Sequence, residues 1–194
     1  MATSGNDENA SFHVDDDVLQ AGLLHVKDAP LDKGLVAMLV IRPDIDHREV
    51  LSEVIADSDA GIVGDNWRRR GNARTPDGLA NPGDQVTLMN LRAALLMAGS
   101  QERIPLAGDQ IYVDLDIGVE NLPPGTRLVL GEATLEITDV PHTGCEKFTA
   151  RFGVAALRLT ATPEGRALRL RGVNTRIIST GVIRVGDVIS VDRP

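Results

Sequence analysis

The sequence is poor in aromatic residues and in cysteine, and both shortages exclude classes of protein. Of its 194 residues only three are Phe, one is Tyr and one is Trp, so a core must be built from Val, Ile, Leu and Ala. A single cysteine excludes an internal disulfide framework and a zinc site of the CxxC type. No apolar run approaches the roughly 18 residues of a membrane-spanning helix, and the basic and apolar regions of a secretory signal are absent. We therefore expect a cytoplasmic protein that does not bind membranes.

Several catalytic motifs are absent as well. The sequence contains no Walker A motif, no GxGxxG, no GxSxG and no HExxH. The four histidines do not have the spacing of metal ligands. Nucleotide-binding loops, the serine hydrolase elbow and the zinc protease site are therefore not predicted.

Positive charge is scarce overall but concentrated in one segment. The formal net charge is −8, which argues against nucleic acid as a partner because polyanion binding needs a basic surface. Residues 145–176 nevertheless hold seven basic side chains against two acidic ones. This distribution predicts a local site for a small anion.

The domain organisation follows from length and from the acidic N-terminus. Residues 1–20 contain five acidic and no basic side chains, which is typical of a solvated, disordered tail. The remaining length, residues 21–194, suits a single domain.

Periodicity and turn residues predict a mainly β protein of the α+β class, a small β-barrel decorated by a few helices. A continuous apolar run over 34–42 predicts a strand buried on both faces, and alternation over 111–117 predicts a half-buried strand. Two helices are predicted over 46–56 and 86–98, and a long loop lies between them over 65–85. A hairpin is predicted over 128–140, and further short strands over 167–171, 175–179, 182–185 and 188–191.

The segment around the single cysteine carries the most chemical information. Thr143 and Glu146 have the spacing of a capping box, which predicts that a helix starts at Thr143 and places Cys145 in its first turn. The helix dipole, together with Lys147, Arg151 and His142 nearby, would favour the thiolate, the form that attacks sulfur or binds metals. The alternative is that Cys145 is a small buried hydrophobe, as many free cysteines are.

Two arginine clusters support the prediction of an anion site. One lies in the glycine-rich loop and includes Arg68, and the other surrounds Arg171 and Asn174. Guanidinium groups and exposed backbone amides suit phosphate, sulfate or carboxylate. Solvated surface residues are the alternative interpretation of each arginine taken singly.

The run PHTGCEKFTARFG at Pro141–Gly153, followed by RLRGVNTRIISTGVIRVGDVISV, resembles the MOSC domain, named after the C-terminal part of molybdenum-cofactor sulfurase. GIVGDNW at Gly61–Trp67 and GVENLPPGTRLVLGEATLEIT at Gly118–Thr138 are similar to the same family. The resemblance covers most of the chain from Leu24 to Val191 and is closest to the stand-alone bacterial type. It implies a β-barrel with a functional cysteine at Cys145.

The resemblance also implies a function. It suggests that Cys145 ligates the molybdenum of a pterin cofactor, molybdopterin, possessing a phosphate, and that the protein reduces N-hydroxylated small molecules with an external electron donor. The alternative is a non-catalytic sulfur carrier that receives a persulfide on Cys145 from a cysteine desulfurase, for metal-sulfur cluster or cofactor assembly. No pyridoxal phosphate is expected, because the desulfurase domain of the fused sulfurase is absent. Besides Cys145 as catalytic residue and metal ligand, the candidate cofactor-binding residues are Lys147, Arg151, Arg171, Asn174, His142, Thr143, Gly144 and Arg68.

Overall fold

The computed structural model describes residues 12 to 193. Within that range its helices are α1 (Asp16–Lys27), α2 (Trp67–Arg70), α3 (Leu91–Ala98), α4 (Glu146–Ala161) and α5 (Pro163–Ala167). Its strands are β1 (Lys33–Ile41), β2 (Glu49–Leu51), β3 (Glu53–Asp57), β4 (Gly61–Ile62), β5 (Val86–Asn90), β6 (Ile111–Asp114), β7 (Arg127–Leu130), β8 (Ala133–Ile137), β9 (Val173–Ser179), β10 (Gly181–Arg184) and β11 (Val188–Asp192).

Seven of these strands close into a barrel. Their order is β11-β7-β8-β9-β5-β6-β1, and β1 returns to pair with β11. All neighbouring pairs in the barrel are antiparallel except β5 and β6. Strand β2 extends the sheet beside β1, and β10, β3 and β4 form a separate small sheet. Closure removes the open edges of the sheet, and the predicted fold class is confirmed.

The interior of the barrel is filled by aliphatic side chains, as the low aromatic content predicts. The buried cluster includes Val36, Leu88, Val113, Leu135 and Ile189. Each of these residues points inwards from a different barrel strand, because side chains alternate between the two faces of a strand. The barrel is therefore a packed core.

Helices α1, α3 and α4 cover one outer side of the barrel. Their apolar faces pack on outward-pointing side chains of β1, β5 and β6, including Met38, Met89 and Tyr112. The predicted strand over 34–42 is thus confirmed, because the second half of β1 is buried on both faces. Tyr112, expected to face solvent in the alternating strand, is fully buried beneath this helical layer.

The predicted tail is too long. Helix α1 begins at Asp16, and Leu19 within it is completely buried, so the last part of the segment 1–20 is folded. The acidic residues at the start of α1 suit a helix N-terminus, where the macrodipole favours negative charge. Residues 1–11 lie outside the described residues, and for them the tail stays a prediction.

The helix predicted over 46–56 is wrong, and the helix predicted over 86–98 is wrong in its first five residues. Residues 46–56 form β2 and β3, where Val54 and Ala56 alternate with exposed neighbours and β-branched side chains favour the extended chain. Residues 86–90 form β5, whose side chains are all buried, and only Leu91–Ala98 is helical. The side chain of Asn90 caps α3 by accepting the N–H of Ala93 at 3.1 Å.

The later elements agree better with prediction. The hairpin is formed by β7 and β8 around Gly131, and β9, β10 and β11 match the last three predicted strands. The strand predicted over 167–171 is wrong, because α5 and a tight turn occupy that stretch. The predicted long loop contains the single turn of α2 and a short 3-10 turn at Pro82–Asp84. None of the helices in the described chain is long and apolar enough to cross a membrane.

Candidate functional site

Cys145 lies at the junction between an extended segment and helix α4. The helix begins at Glu146, Cys145 is the residue before it in an extended conformation, and its carbonyl accepts the N–H of Thr149 at 3.0 Å. Cys145 and not Thr143 is therefore the N-cap, so the predicted start is two residues too early. Gly144 permits the close entry of the chain, since a Cβ there would lie 2.4 Å from Leu157 Cδ1. The side chain of Cys145 is exposed, which contradicts the alternative of a buried hydrophobe.

A cleft of about 730 Å³ adjoins Cys145. Its walls come from the segment after β8, the second half of α4, and the chain from α5 into β9. It brings together four of the predicted residues, which are His142, Thr143, Gly144 and Arg171. Cys145 follows Gly144 directly in the chain but is not itself among the lining residues. A cleft of this volume is in the range of small-molecule and cofactor sites.

Beneath the cleft lies a buried cluster of three ionisable side chains. The carboxylate of Asp109, which has no exposed surface, accepts from Arg171 Nη1 at 2.6 Å and contacts His142 Nε2 at 2.8 Å. Arg171 also donates through Nη2 to the carbonyl of Ala107 and lies over the ring of Phe148, 5.0 Å from its centroid. Arg171 is therefore a buried support of the cleft, and its two Nη groups already have protein acceptors.

The charges in this cluster fix the state of the histidine. Burial alone would raise the pKa of Asp109, but Arg171 and His142 outweigh it and hold the pKa at about 2. Burial, followed by the charge of Arg171, lowers the pKa of His142, so the imidazole is neutral at neutral pH. Nε2 of His142 also lies 2.9 Å from the donor Nη1 of Arg171. Because that Nη1 already donates to Asp109 at 2.6 Å, and because an ionised carboxylate only accepts hydrogen bonds, we assign the proton of His142 to Nε2, which leaves Nδ1 as an acceptor.

Two further arginines line the cleft. Arg166 is exposed and forms no ion pair within the described chain. Arg169 is half-buried and donates through Nη1 to the carbonyls of Ile117 and Leu122. Burial lowers the pKa of Arg169, yet a guanidinium remains charged at any physiological pH. These two guanidinium groups outnumber the one carboxylate of the lining, that of Asp139.

Four other predicted residues lie outside this cleft. Lys147 and Arg151 point to Asp46 in the loop between β1 and β2. Asn174 donates to the carbonyls of Val140 and Pro141 and so positions the segment that carries His142. Arg68 lies in α2, where its guanidinium reaches the carbonyl of Asp59 at 3.3 Å.

A known protein family matches this chain in sequence. The family model described as MOSC domain matches residues 63–190, which is well over half of the chain. The chain belongs to the MOSC domain family. MOSC domains are associated with molybdenum cofactor and with sulfur chemistry.

Solved structures show the same fold in other MOSC proteins. The YuaD protein of Bacillus subtilis shares 18% identity and a TM-score of 0.57, over 82% of this chain and 95% of the other. YiiM of Escherichia coli shares 16% identity and a TM-score of 0.53, over 82% and 70% of the two chains. YiiM of Geobacillus stearothermophilus shares 13% identity and a TM-score of 0.50, over 83% and 75%. No curated protein matches this MOSC domain in sequence.

The side chains of this MOSC domain suit a metal whose other ligands come from a bound cofactor. Among residues 12–193 no group of three His, Cys, Asp or Glu side chains could hold a metal ion. The exposed thiol of Cys145 is thus a single soft ligand, of the kind that suits a redox metal. The cleft beside it adds positive charge for an anionic group and an apolar wall that includes Leu157 and Val173.

The sequence did not predict Asp109, the buried carboxylate that His142 and Arg171 share in this MOSC site. Asp109 lies 33 residues before His142 and 62 before Arg171, and no local pattern links them. One available signal was the position of Arg171 between Leu170 and Gly172 at the start of a buried strand, since a buried arginine requires acceptors. Arg166 and Arg169 belong to the basic segment that the charge distribution identified, but their place in the cleft depends on the fold.

Proposed function

We propose that this MOSC domain binds the molybdenum cofactor at the cleft, with Cys145 as the protein ligand of the metal. The observation that carries the proposal is the exposed thiol of Cys145, which directly follows Gly144 in the wall of a cleft with basic and apolar lining residues. His142, Thr143 and Gly144 would contact the cofactor, and Arg166 and Arg169 would bind its phosphate. When bound, the cofactor supplies two-electron redox chemistry at molybdenum.

The neutral imidazole of His142 gives the cleft a fixed hydrogen-bond acceptor. Its Nε2–H is directed to Asp109, so the ring cannot turn to offer a donor without breaking a buried hydrogen bond. Nδ1 can accept a hydrogen bond from an N–H or O–H group of a ligand. This preference suits N-hydroxylated small molecules, which carry such donors, as substrates of the proposed reductase.

The proposed reduction requires an electron source outside the chain. Conversion of an N-hydroxyl group to N–H and water consumes two electrons and two protons, and one cysteine cannot cycle through a disulfide within the protein. An external electron donor is therefore the expected partner.

The test is cofactor content of the full chain purified from a molybdenum-replete host. We expect about one molybdenum and one pterin per chain in wild type, and loss of molybdenum in Cys145→Ser. Arg166→Gln should reduce the pterin content, whereas Arg158→Gln, the same change at an exposed arginine outside the cleft lining, should not. Absence of both components from wild type would refute the proposal.

A second candidate function is a sulfur carrier, and the exposure of Cys145 favours it. A thiol that ends a loop at the surface can meet the active site of a cysteine desulfurase and then an acceptor protein. The intact mass of the protein after incubation with a cysteine desulfurase and cysteine tests whether Cys145 accepts sulfur. A gain of one sulfur atom that dithiothreitol reverses and Cys145→Ser abolishes supports the carrier, and an unchanged mass contradicts it.

A further inference from the structure

Lys147 and Arg151, which follow Cys145 in the chain, both form ion pairs with the carboxylate of Asp46. Asp46, in the loop between β1 and β2, accepts hydrogen bonds from Lys147 Nζ at 2.8 and 2.9 Å and from Arg151 Nη2 at 2.8 Å. Lys147 and Arg151 belong to the first two turns of α4, which starts directly after Cys145. The carboxylate thus bridges two cations that the sequence placed near the thiol.

Arg48, two residues after Asp46 in the chain, is a further cation whose hydrogen bonds are incomplete. Its Nε is buried and has no hydrogen-bond acceptor among residues 12–193. Burial, and next the charge of Arg151, lowers the pKa of Arg48. The neighbouring Arg42 is already paired with Asp65 at 3.0 Å. Two cations, Lys147 and Arg151, therefore share one carboxylate, and the buried Nε of Arg48 remains unsatisfied, which is costly.

Asp46 has features expected of a side chain that a ligand can displace from its ion pairs. Its φ of +57° places a residue other than glycine in the left-handed region, a conformation that clusters at functional sites. Its side chain is 55% exposed, as expected for the tip of a loop. The loop therefore contributes a carboxylate to these ion pairs without contributing to the core.

We propose that Arg48, Lys147 and Arg151 form a binding site for a phosphate-like dianion, and that Asp46 occupies this site in the absence of the ligand. A dianion neutralises more of the excess positive charge than one carboxylate does. Its additional oxygens also provide acceptors for donors of Arg48 and Arg151 that Asp46 leaves unused, because guanidinium groups match phosphate geometry. The site is separate from the cleft, so the proposal does not depend on binding of the molybdenum cofactor.

Isothermal titration calorimetry of the full chain with inorganic phosphate tests the proposal. Asp46→Asn removes the competing charge and tolerates the left-handed backbone, so it should bind phosphate about tenfold more tightly than wild type. Asp44→Asn is the matched control, since Asp44 lies in the same loop but is 3.9 Å from Arg69. It removes the same charge without vacating the site and should leave the affinity as in wild type.

Further variants separate a binding site from a structural ion pair. Adding Lys147→Met to Asp46→Asn should abolish phosphate binding, and Asp46→Gly should reproduce the gain of Asp46→Asn. Equal affinities of wild type, Asp46→Asn and Asp46→Gly would overturn the proposal, as would an equal gain in Asp44→Asn. Glycerol 3-phosphate in parallel identifies the source of the ligand: tighter binding than inorganic phosphate supports an organic phosphate, and weaker binding supports the free anion.

Discussion

The buried cluster of Asp109, His142 and Arg171 leads to a quantitative prediction. Asp109→Asn preserves the size of the side chain but leaves the guanidinium of Arg171 buried without a counter-charge. Removing one partner of a buried ion pair costs about 3–5 kcal/mol. The fall in the pKa of Asp109 from 3.8 to about 2 corresponds to a gain of about 2.5 kcal/mol from ionisation in the folded state, so we expect a loss of about 3 kcal/mol at pH 7.

The free energy of unfolding from urea titration measures this loss. Asp114→Asn is the matched control, because Asp114 pairs with Arg92 at 2.7 Å but is 35% exposed, and it should lose about 1 kcal/mol or less. Combining Asp109→Asn with Arg171→Met should recover part of the stability, since no unpaired buried charge remains. A loss below 1 kcal/mol in Asp109→Asn would refute the account of the cluster.

The same cluster fixes the sign of the pH dependence. The pKa of Asp109 is lowered in the folded state, so its contribution is fully present above pH 4 and is lost as the pH falls towards 2. An acid titration of stability should show this loss in wild type. The Asp109→Asn variant should lack it, and an identical acid limb in both proteins would contradict the assignment.

Three further predictions concern single residues. Because the pKa of His142 is lowered from 6.5, the unfolded chain takes up a proton first, and stability should fall as the pH drops below about 6.5; His142→Gln should remove this component in a pH series of urea titrations. Gly172→Ala should lower the melting temperature more than Gly186→Ala. Both glycines have φ above +90°, but only at Gly172 would a Cβ meet backbone, 2.5 Å from the carbonyl oxygen of Leu88. Equal losses of melting temperature would contradict a role for this close approach. Asn90→Ala should cost about 1–2 kcal/mol through loss of the α3 cap, and an unchanged unfolding midpoint would contradict that.

The parts of the fold that sequence predicts well are those in which one interaction dominates. The hairpin around Gly131 follows from alternation on both sides of a turn, and the run ending at Ile41 is apolar because helices cover its outer face. The segment from Val86 to Asn90 was predicted to be helical because a fully buried strand does not alternate apolar and polar residues. The helix directly after it also extended the apparent helical periodicity. Residues 46–56 could be placed on a helical face, but pairing of β3 with β10 decided their structure.

The candidate site was predictable where its residues are neighbours in sequence. The segment from His142 to Gly144 lines one wall of the cleft, and Cys145 follows it in the chain. The partners of the predicted cations were not predictable, because Asp46 is about 100 residues from Lys147 and Asp109 is 62 from Arg171. Charge counts alone cannot say whether a cation faces a ligand or a carboxylate of the same chain.

The central claim, that Cys145 is the protein ligand of molybdenum, is tested most directly by X-ray absorption at the molybdenum edge. The measurement compares cofactor-loaded wild type with Cys145→Ser prepared in the same way. If Cys145 ligates molybdenum, we expect one more sulfur ligand at the metal in wild type than in the variant, or no bound molybdenum in the variant. Equal molybdenum content with the same number of sulfur ligands in both proteins would contradict it.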